Sequence, residues 1–184
     1  MYKKLIPTFF EKSIYEIDFK ALYDKGIRLL LSDLDNTLIS YNEKEPREET
    51  YALINKIKEL GFEFIIVSNS KKDRAPNFAK KIGVPCVRFA TKPLKRGIKK
   101  AIKKIASKKY NNNEIILFGD QVMTDIIGAN RCKINSCLIK PIDRKSEHFP
   151  TSFNRKFERF FLKRIKKKKN DIYNIYFKEF NCYE

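Results

Sequence analysis

The sequence predicts a doubly wound α/β fold on a five-stranded parallel sheet. Three observations predict it. Short apolar runs alternate with stretches of helical periodicity along most of the chain, the pattern of repeated strand–helix–strand units. The runs are apolar at consecutive positions, as expected of strands buried on both faces. Polar residues able to do chemistry fall at or just past the ends of these runs, the edge at which open α/β sheets bind ligands.

Ile27 to Leu31 reads as the first strand, ending at Ser32-Asp33. Glu45-Pro46 opens a helix with Leu53, Ile57 and Leu60 on one face, and Gly61 stops it. Phe62 to Val67 is the second strand, ending at Ser68-Asn69-Ser70. A short helix turns Phe78 and Ile82 inward before Gly83, and Pro85 to Ala90 forms a weaker third strand. After Lys92-Pro93, Leu94, Ile98, Ala101, Ile102 and Ile105 recur at helical spacing under an outer face of lysines. Asn111-Asn112-Asn113 breaks the chain. Ile115 to Phe118 is the fourth strand, ending at Gly119-Asp120; a helix through Ile126 and Ala129 leads to a fifth near Ser136 to Ile139. Right-handed crossovers wind these units on both sides of the sheet.

The chain of 184 residues has room for one core-forming domain, and 42% hydrophobic content supports a globular fold. Its formal net charge of +18 draws it to anionic partners: phosphorylated substrates, an anionic membrane face or nucleic acid. Cys86, Cys132, Cys137 and Cys182 form no C-x-x-C pair, which speaks against structural zinc and a disulfide framework and for a reduced cytosol. Glu11 and Lys12 cut the first apolar stretch too short for a signal peptide, and no run approaches the ~20 residues of a membrane span. The expected location is cytoplasmic, with peripheral attachment to the inner membrane face as an extension of it. His148, near Pro150, is assigned no role.

Four strand ends deliver Asp33 and Asp35, Ser68 and Asn69, Lys92, and Asp120 to one crevice. Two acids two residues apart suit phosphoryl transfer. Asp33 attacks phosphorus to form an aspartyl-phosphate; Asp35 protonates the leaving oxygen and later deprotonates water. Mg²⁺ suits such a cleft because it takes oxygen ligands and offsets repulsion between a carboxylate and phosphate. Asp33 and Asp120 are candidate ligands, with Asp125 behind them. Ser68, the backbone at Asn69 and Lys92 are candidate phosphate contacts. Singly each is weak, since D-x-D is common and a loop lysine says little. Their order and shared position carry the reading.

Asp33-Leu34-Asp35-Asn36-Thr37-Leu38 resembles the D-x-D-x-T first motif of the haloacid dehalogenase-like (HAD) superfamily. Ser68, Lys92 and Gly119-Asp120-Gln121-Val122-Met123-Thr124-Asp125 resemble its second, third and fourth motifs. Asp35 points to the phosphatases of that superfamily. Lys3-Lys4-Leu5-Ile6-Pro7, Lys92-Pro93 and Phe153-Asn154-Arg155 extend the resemblance to the YqeG-type HAD subclass IIIA phosphatases, over nearly the whole chain. The resemblance implies a Rossmann-like HAD fold and Mg²⁺ held by Asp33, Asp35 through its backbone carbonyl, and Asp120, with Asp125 acting through water. It also implies a relationship to phosphatidylglycerophosphate phosphatases, which makes that lipid a candidate substrate. Protein or small-molecule phosphate, and an RNA- or ribosome-binding module on a HAD scaffold, are the alternatives.

Neither the stretch after the first strand nor that after the third is long enough for a cap domain, so the site is expected to be open, unless oligomerisation supplies a lid. Residues 1–150 form the expected catalytic domain with an N-terminal strap, and 151–184 a basic amphipathic extension packed on or beside it. Residues 151–169 hold nine basic side chains against Glu158, with Phe153, Phe157, Phe160, Phe161 and Ile165 at roughly helical spacing. That is a membrane-surface signature. Packing against the body is the preferred reading of the phenylalanines, less so of the Lys166–Lys169 run. Leu5, Ile6, Phe9 and Phe10 read as a second interfacial contact or as a strap on the core. RNA binding through the same charge is the less favoured partner.

Overall fold

The computed structural model describes residues 2–145 and 151–180. His148, Pro150 and Cys182 lie outside them. In chain order the elements are β1 (Phe9–Glu11), α1 (Phe19–Asp24), β2 (Leu29–Ser32), α2 (Glu48–Glu59), β3 (Glu63–Val67), α3 (Arg74–Lys81) and β4 (Cys86–Val87). Then follow α4 (Lys95–Lys100) with a π turn at Ala101–Ile105, β5 (Ile115–Gly119), a second π turn at Val122–Ile126, α5 (Ile127–Cys132), β6 (Asn135–Ile139), α6 (Thr151–Lys168) and α7 (Asn170–Tyr176).

All pairings are parallel, and the sheet order is β1-β6-β5-β2-β3-β4. The chain winds outward from β2 through β3 to β4, then returns to the other side of β2 for β5 and β6. The topological switch therefore lies between β2 and β5. Leu29 and Leu31 of β2 point to one face with Ile65, Leu117 and Ile98; Leu30 points to the other with Ile66, Ile116 and Phe78. This is the two-residue alternation of a strand with both faces covered. Each such leucine stabilises the fold by about 1.5–3 kcal/mol relative to leaving it in water.

The sheet has six strands where the sequence predicts five. The additional strand, β1, is only three residues long and partly buried, so it carries no readable pattern. It is aligned on β6 by Thr8 and Ser136, whose hydroxyl oxygens each accept the other's N–H, at 3.3 and 3.1 Å. The N-terminal segment is thus a strap: Leu5 is buried, and Phe10 meets Phe180 edge to face. The β4 strand is shorter than Pro85 to Ala90 because Phe89, at φ 49°, turns the chain away from the sheet.

Only a loop and α2 separate β2 from β3, and only α4 with short turns separates β4 from β5. The fold is capless. Beyond the sheet, α6 and α7 bury Leu162, Ile165, Tyr173, Phe177 and Phe180 against Val122, Ile126 and Leu138. Of the stripe expected to pack, Ile165 lies in that cluster and Phe161 packs against it, whereas Phe153, Phe157 and Phe160 are exposed. The inward positions of α6 are taken by Arg155, Glu158, Leu162 and Ile165, one helical stripe that leaves these three phenylalanines outside.

Candidate active site

The register of β2 and β5 sets the position of Asp33. Ser32 lies opposite Phe118, and the next N–H, that of Asp33, donates to the Phe118 carbonyl at 2.9 Å. The strand then ends in a tight bend. Asn36 adopts φ 59°, a left-handed conformation that asparagine tolerates, and its N–H bonds Ile39 O at 2.7 Å. Asp35, on this bend, forms an ion pair with Arg74 from α3. Arg74 also donates from Nη2 to the carbonyls of Ser40 and Glu43, both at 2.7 Å, so one guanidinium ties the bend to the loop behind it.

Lys92 is buried and reaches two carboxylates, Asp33 Oδ1 at 2.9 Å and Asp125 Oδ1 at 2.7 Å. Its backbone is gripped by one side chain. Asn69 Nδ2 donates to Lys92 O at 2.9 Å, and Lys92 N donates to Asn69 Oδ1 at 2.7 Å. The Asn69 amide therefore positions Lys92, leaving only its backbone for the expected phosphate contact. Ser68 is buried at the end of β3, where its Oγ accepts the Ser70 N–H at 3.1 Å, so its own hydroxyl hydrogen remains to donate.

Asp120 follows β5, and Asp125 returns to it from the π turn. A side chain at Gly119 would place its Cβ 2.3 Å from Asp125 Cγ, so the absence of one lets Asp125 lie against the strand end. The Asp125 carboxylate accepts the Gln121 N–H at 3.1 Å and the Thr124 hydroxyl at 3.3 Å. Asp120 is held from outside the sheet. Arg155 of α6 donates to its carbonyl at 2.7 Å and pairs with its carboxylate. Glu158, one turn on, meets Arg155 at 3.1 Å and accepts the Val122 N–H at 2.8 Å.

Carboxylate oxygens of Asp33, Asp120 and Asp125 all lie within 4.8 Å of one another. With Glu158 they make four buried carboxylates against two buried cations, Lys92 and Arg155. Among the described residues carboxylates thus outnumber cations there, and an all-oxygen donor set suits Mg²⁺. Burial pushes the Asp33 carboxyl above its ordinary range and the Asp125 charge adds to this, while Lys92 opposes both. Burial works against the Lys92 ammonium, but Asp125 and Asp33 hold it above its ordinary value.

Asp33, Lys92, Asp120 and Asp125 thus converge, with Ser68 at the neighbouring strand end. The Asp35 carboxylate lies outside the three-acid cluster, engaged by Arg74. Sequence reasoning missed Arg74, Arg155 and Glu158 as site residues. The available signal for the last two was Glu158 itself, a lone acid three residues from Arg155 on one helix face in a basic segment.

Fold and site together define a hydrolase of the haloacid dehalogenase-like class. The profile of that family, haloacid dehalogenase-like hydrolase, matches residues 3–133, and the chain belongs to it. Within the family it is 31% identical over 166 residues to the Bacillus subtilis (strain 168) protein named Probable phosphatase YqeG, covering 90% of this chain and 94% of that one. Family and relative together make it a HAD-type phosphatase.

It is 26% identical over 169 residues to Phosphatidylglycerophosphate phosphatase 1 of Chlamydomonas reinhardtii (chloroplastic) and of Arabidopsis thaliana (chloroplastic/mitochondrial), covering 86% and 87% of this chain. It spans 61% and 48% of those longer proteins. Among solved structures, an uncharacterized protein from Listeria monocytogenes serotype 4b aligns at TM-score 0.50 and 18% identity, covering 68% of this chain and 88% of that one. The HAD-hydrolase YfnB from Bacillus subtilis, bound to magnesium, aligns at TM-score 0.50 and 12% identity, covering 69% and 92%. At these identities the likeness concerns the fold. No helix among the described residues is long and apolar enough to cross a membrane.

Proposed function

We propose that this phosphatase is a Mg²⁺-dependent phosphomonoester hydrolase that works through an aspartyl-phosphate at Asp33, with phosphatidylglycerophosphate as substrate. One observation carries the chemistry: the Asp33 carboxylate is paired with Lys92 at 2.9 Å inside a buried cluster with Asp120 and Asp125. The Asp33 oxygen attacks phosphorus, and the alcohol leaves with a proton from Asp35. Water then attacks the acyl-phosphate and gives its proton back to Asp35, releasing phosphate and restoring Asp33. Lys92 carries positive charge to the transferring oxygens, and Ser68 donates a hydrogen bond to one of them. Asp33, the Asp35 backbone carbonyl and Asp120 would hold Mg²⁺, with Asp125 joining through water. Bound there, it supplies the charge that lets an anionic substrate approach a carboxylate.

The substrate is inferred from the printed activity of the plant and algal relatives and from the open, capless fold, which admits a phosphate on a large body. Residues 1–150 carry the chemistry in this reading, and 151–184 act on it from α6. The test is phosphate release by purified protein with and without Mg²⁺, on phosphatidylglycerophosphate in mixed micelles, a nucleotide monophosphate and a phosphopeptide. Preference for the lipid supports the substrate; preference for either other compound replaces it and leaves the chemistry intact.

A further inference from the structure

Five exposed large apolar side chains belong to segments bonded directly to the catalytic machinery. Phe89 and Leu94 lie on the loop that carries Lys92; the Phe89 N–H bonds Ser70 O at 3.0 Å, beside Ser68. Ile142 follows β6, and its N–H bonds the carbonyl of Asn36 on the Asp33 bend at 3.2 Å. Phe153 and Phe157, an edge-to-face pair, flank Arg155, which grips Asp120. These five are 41–59% exposed; Tyr51, Phe160 and Ile175 are the other exposed large hydrophobics among the described residues, none of them on a segment bonded to Ser68, Lys92 or Asn36. Clustered exposure of this kind marks an interaction surface rather than ordinary surface scatter.

The charge around them is predominantly positive. Lys95, Arg96, Lys145, Lys156 and Arg159 are exposed on the same three segments. Among the described residues the acids there are Glu158, which is buried, and Asp143, which is only partly exposed and accepts the Lys145 N–H at 2.9 Å. Apolar side chains interleaved with lysine and arginine suit an anionic bilayer, where the former enter the headgroup boundary and the latter meet lipid phosphate. RNA suits them less, because Leu94 and Ile142 offer no ring on which a base can stack. A folded protein partner of ordinary surface would leave the predominantly positive charge unmatched.

We propose that the rim formed by Phe89, Leu94, Ile142, Phe153 and Phe157, with its flanking basic residues, docks the enzyme on an anionic lipid bilayer with the catalytic mouth against the membrane. This deepens the lipid-phosphate reading of the site and draws its purpose from it, but membrane binding itself needs no turnover. Docking also explains the missing cap: the bilayer covers the mouth and presents the phosphate.

The experiment is flotation of the full-length protein with vesicles of phosphatidylglycerol and phosphatidylcholine, beside vesicles of phosphatidylcholine alone. A soluble aryl phosphate reports the chemistry separately. Wild type should float with the anionic vesicles only, and added salt should release it. Phe153→Ser/Phe157→Ser and, independently, Phe89→Ser/Leu94→Ser should each weaken vesicle binding about tenfold or more, with aryl phosphate turnover kept. Ile175→Ser, which removes an exposed apolar side chain from α7, should bind as wild type. Absence of wild-type flotation, rim variants that bind normally, or an equal loss in Ile175→Ser would overturn the proposal. So would rim variants that lose binding to a single-stranded RNA while still floating. Flotation without aryl phosphate turnover in wild type would instead contradict the phosphatase chemistry and leave the docking surface standing.

Discussion

Arg155 donates a 2.7 Å hydrogen bond to the backbone carbonyl of Asp120, which lies just past β5 and thirty-five positions earlier. The same guanidinium pairs with the Asp120 carboxylate and with Glu158. Through this contact α6, which from composition alone is a basic tail, becomes a wall of the candidate site. Metal ligands held by a neighbouring charged group are fixed in direction before the ion arrives.

Arg155→Met should leave Asp120 and Glu158 buried without their cation and cost about 3–5 kcal/mol of stability. Urea unfolding of the metal-free protein measures that. Calorimetric titration should also show Mg²⁺ binding weakened by roughly tenfold or more, with Arg155→Lys between Met and wild type. Unchanged Mg²⁺ affinity in the Met variant would reduce α6 to simple packing.

Lys92→Met should lower kcat by about a hundredfold or more, since the charge it supplies to the transferring phosphoryl group is lost. It should also change the alkaline limb of stability. The Lys92 ammonium is raised by Asp125 and Asp33 against the opposing effect of burial, so its contribution is fully present below its ordinary value of 10.5. That contribution is lost as pH climbs from there through the raised folded value. Unfolding free energy followed upward from pH 10 should fall more steeply in wild type than in the variant.

Gly119→Ala tests the close approach of Asp125. The new methyl would sit 2.3 Å from Asp125 Cγ, so strand or carboxylate must shift. The expected cost is about 1–3 kcal/mol, with weaker Mg²⁺ binding beside it. An alanine variant with wild-type melting temperature and metal affinity would show that Asp125 has room to move.

Burial pushes the Cys86 thiol up to about 11, with Asp33 adding to the shift and Arg88 and Lys92 opposing it. At neutral pH its thiolate fraction is then on the order of a hundredth of that of an ordinary thiol. Alkylation of the native protein should leave Cys86 almost unlabelled at pH 8 and accelerate with a midpoint near 11. Fast labelling at neutral pH would mean that the loop carrying Lys92 opens readily.

The convergence of the candidate site residues was legible because a parallel sheet delivers strand ends to one edge, and strand ends can be read from apolar runs. Asp33, Ser68, Lys92 and Asp120 each follow such a run. Arg74 and Arg155 follow none. They reach the site across the fold, and only the lone acid Glu158 sets Arg155 apart from the eight other basic residues of 151–169. The β1 strand was hidden by its shortness, being held by Thr8–Ser136 contacts that join distant parts of the chain. On α6 the apolar pattern reads correctly for Phe161 and Ile165 but not for Phe153, Phe157 and Phe160, which face outward. The buried positions belong to Leu162, Ile165 and the Arg155–Glu158 pair, whose charged groups reach Asp120 and Val122.

The role of Asp33 as nucleophile is tested most directly by mass-spectrometric peptide mapping of enzyme acid-quenched during turnover with Mg²⁺. An alkali-labile phosphoryl group is expected on the peptide containing Asp33. Asp33→Asn should show no adduct and a kcat lower by about a thousandfold or more. A phosphoryl group on another residue, or an Asp33→Asn protein that turns over at the wild-type rate, would contradict it.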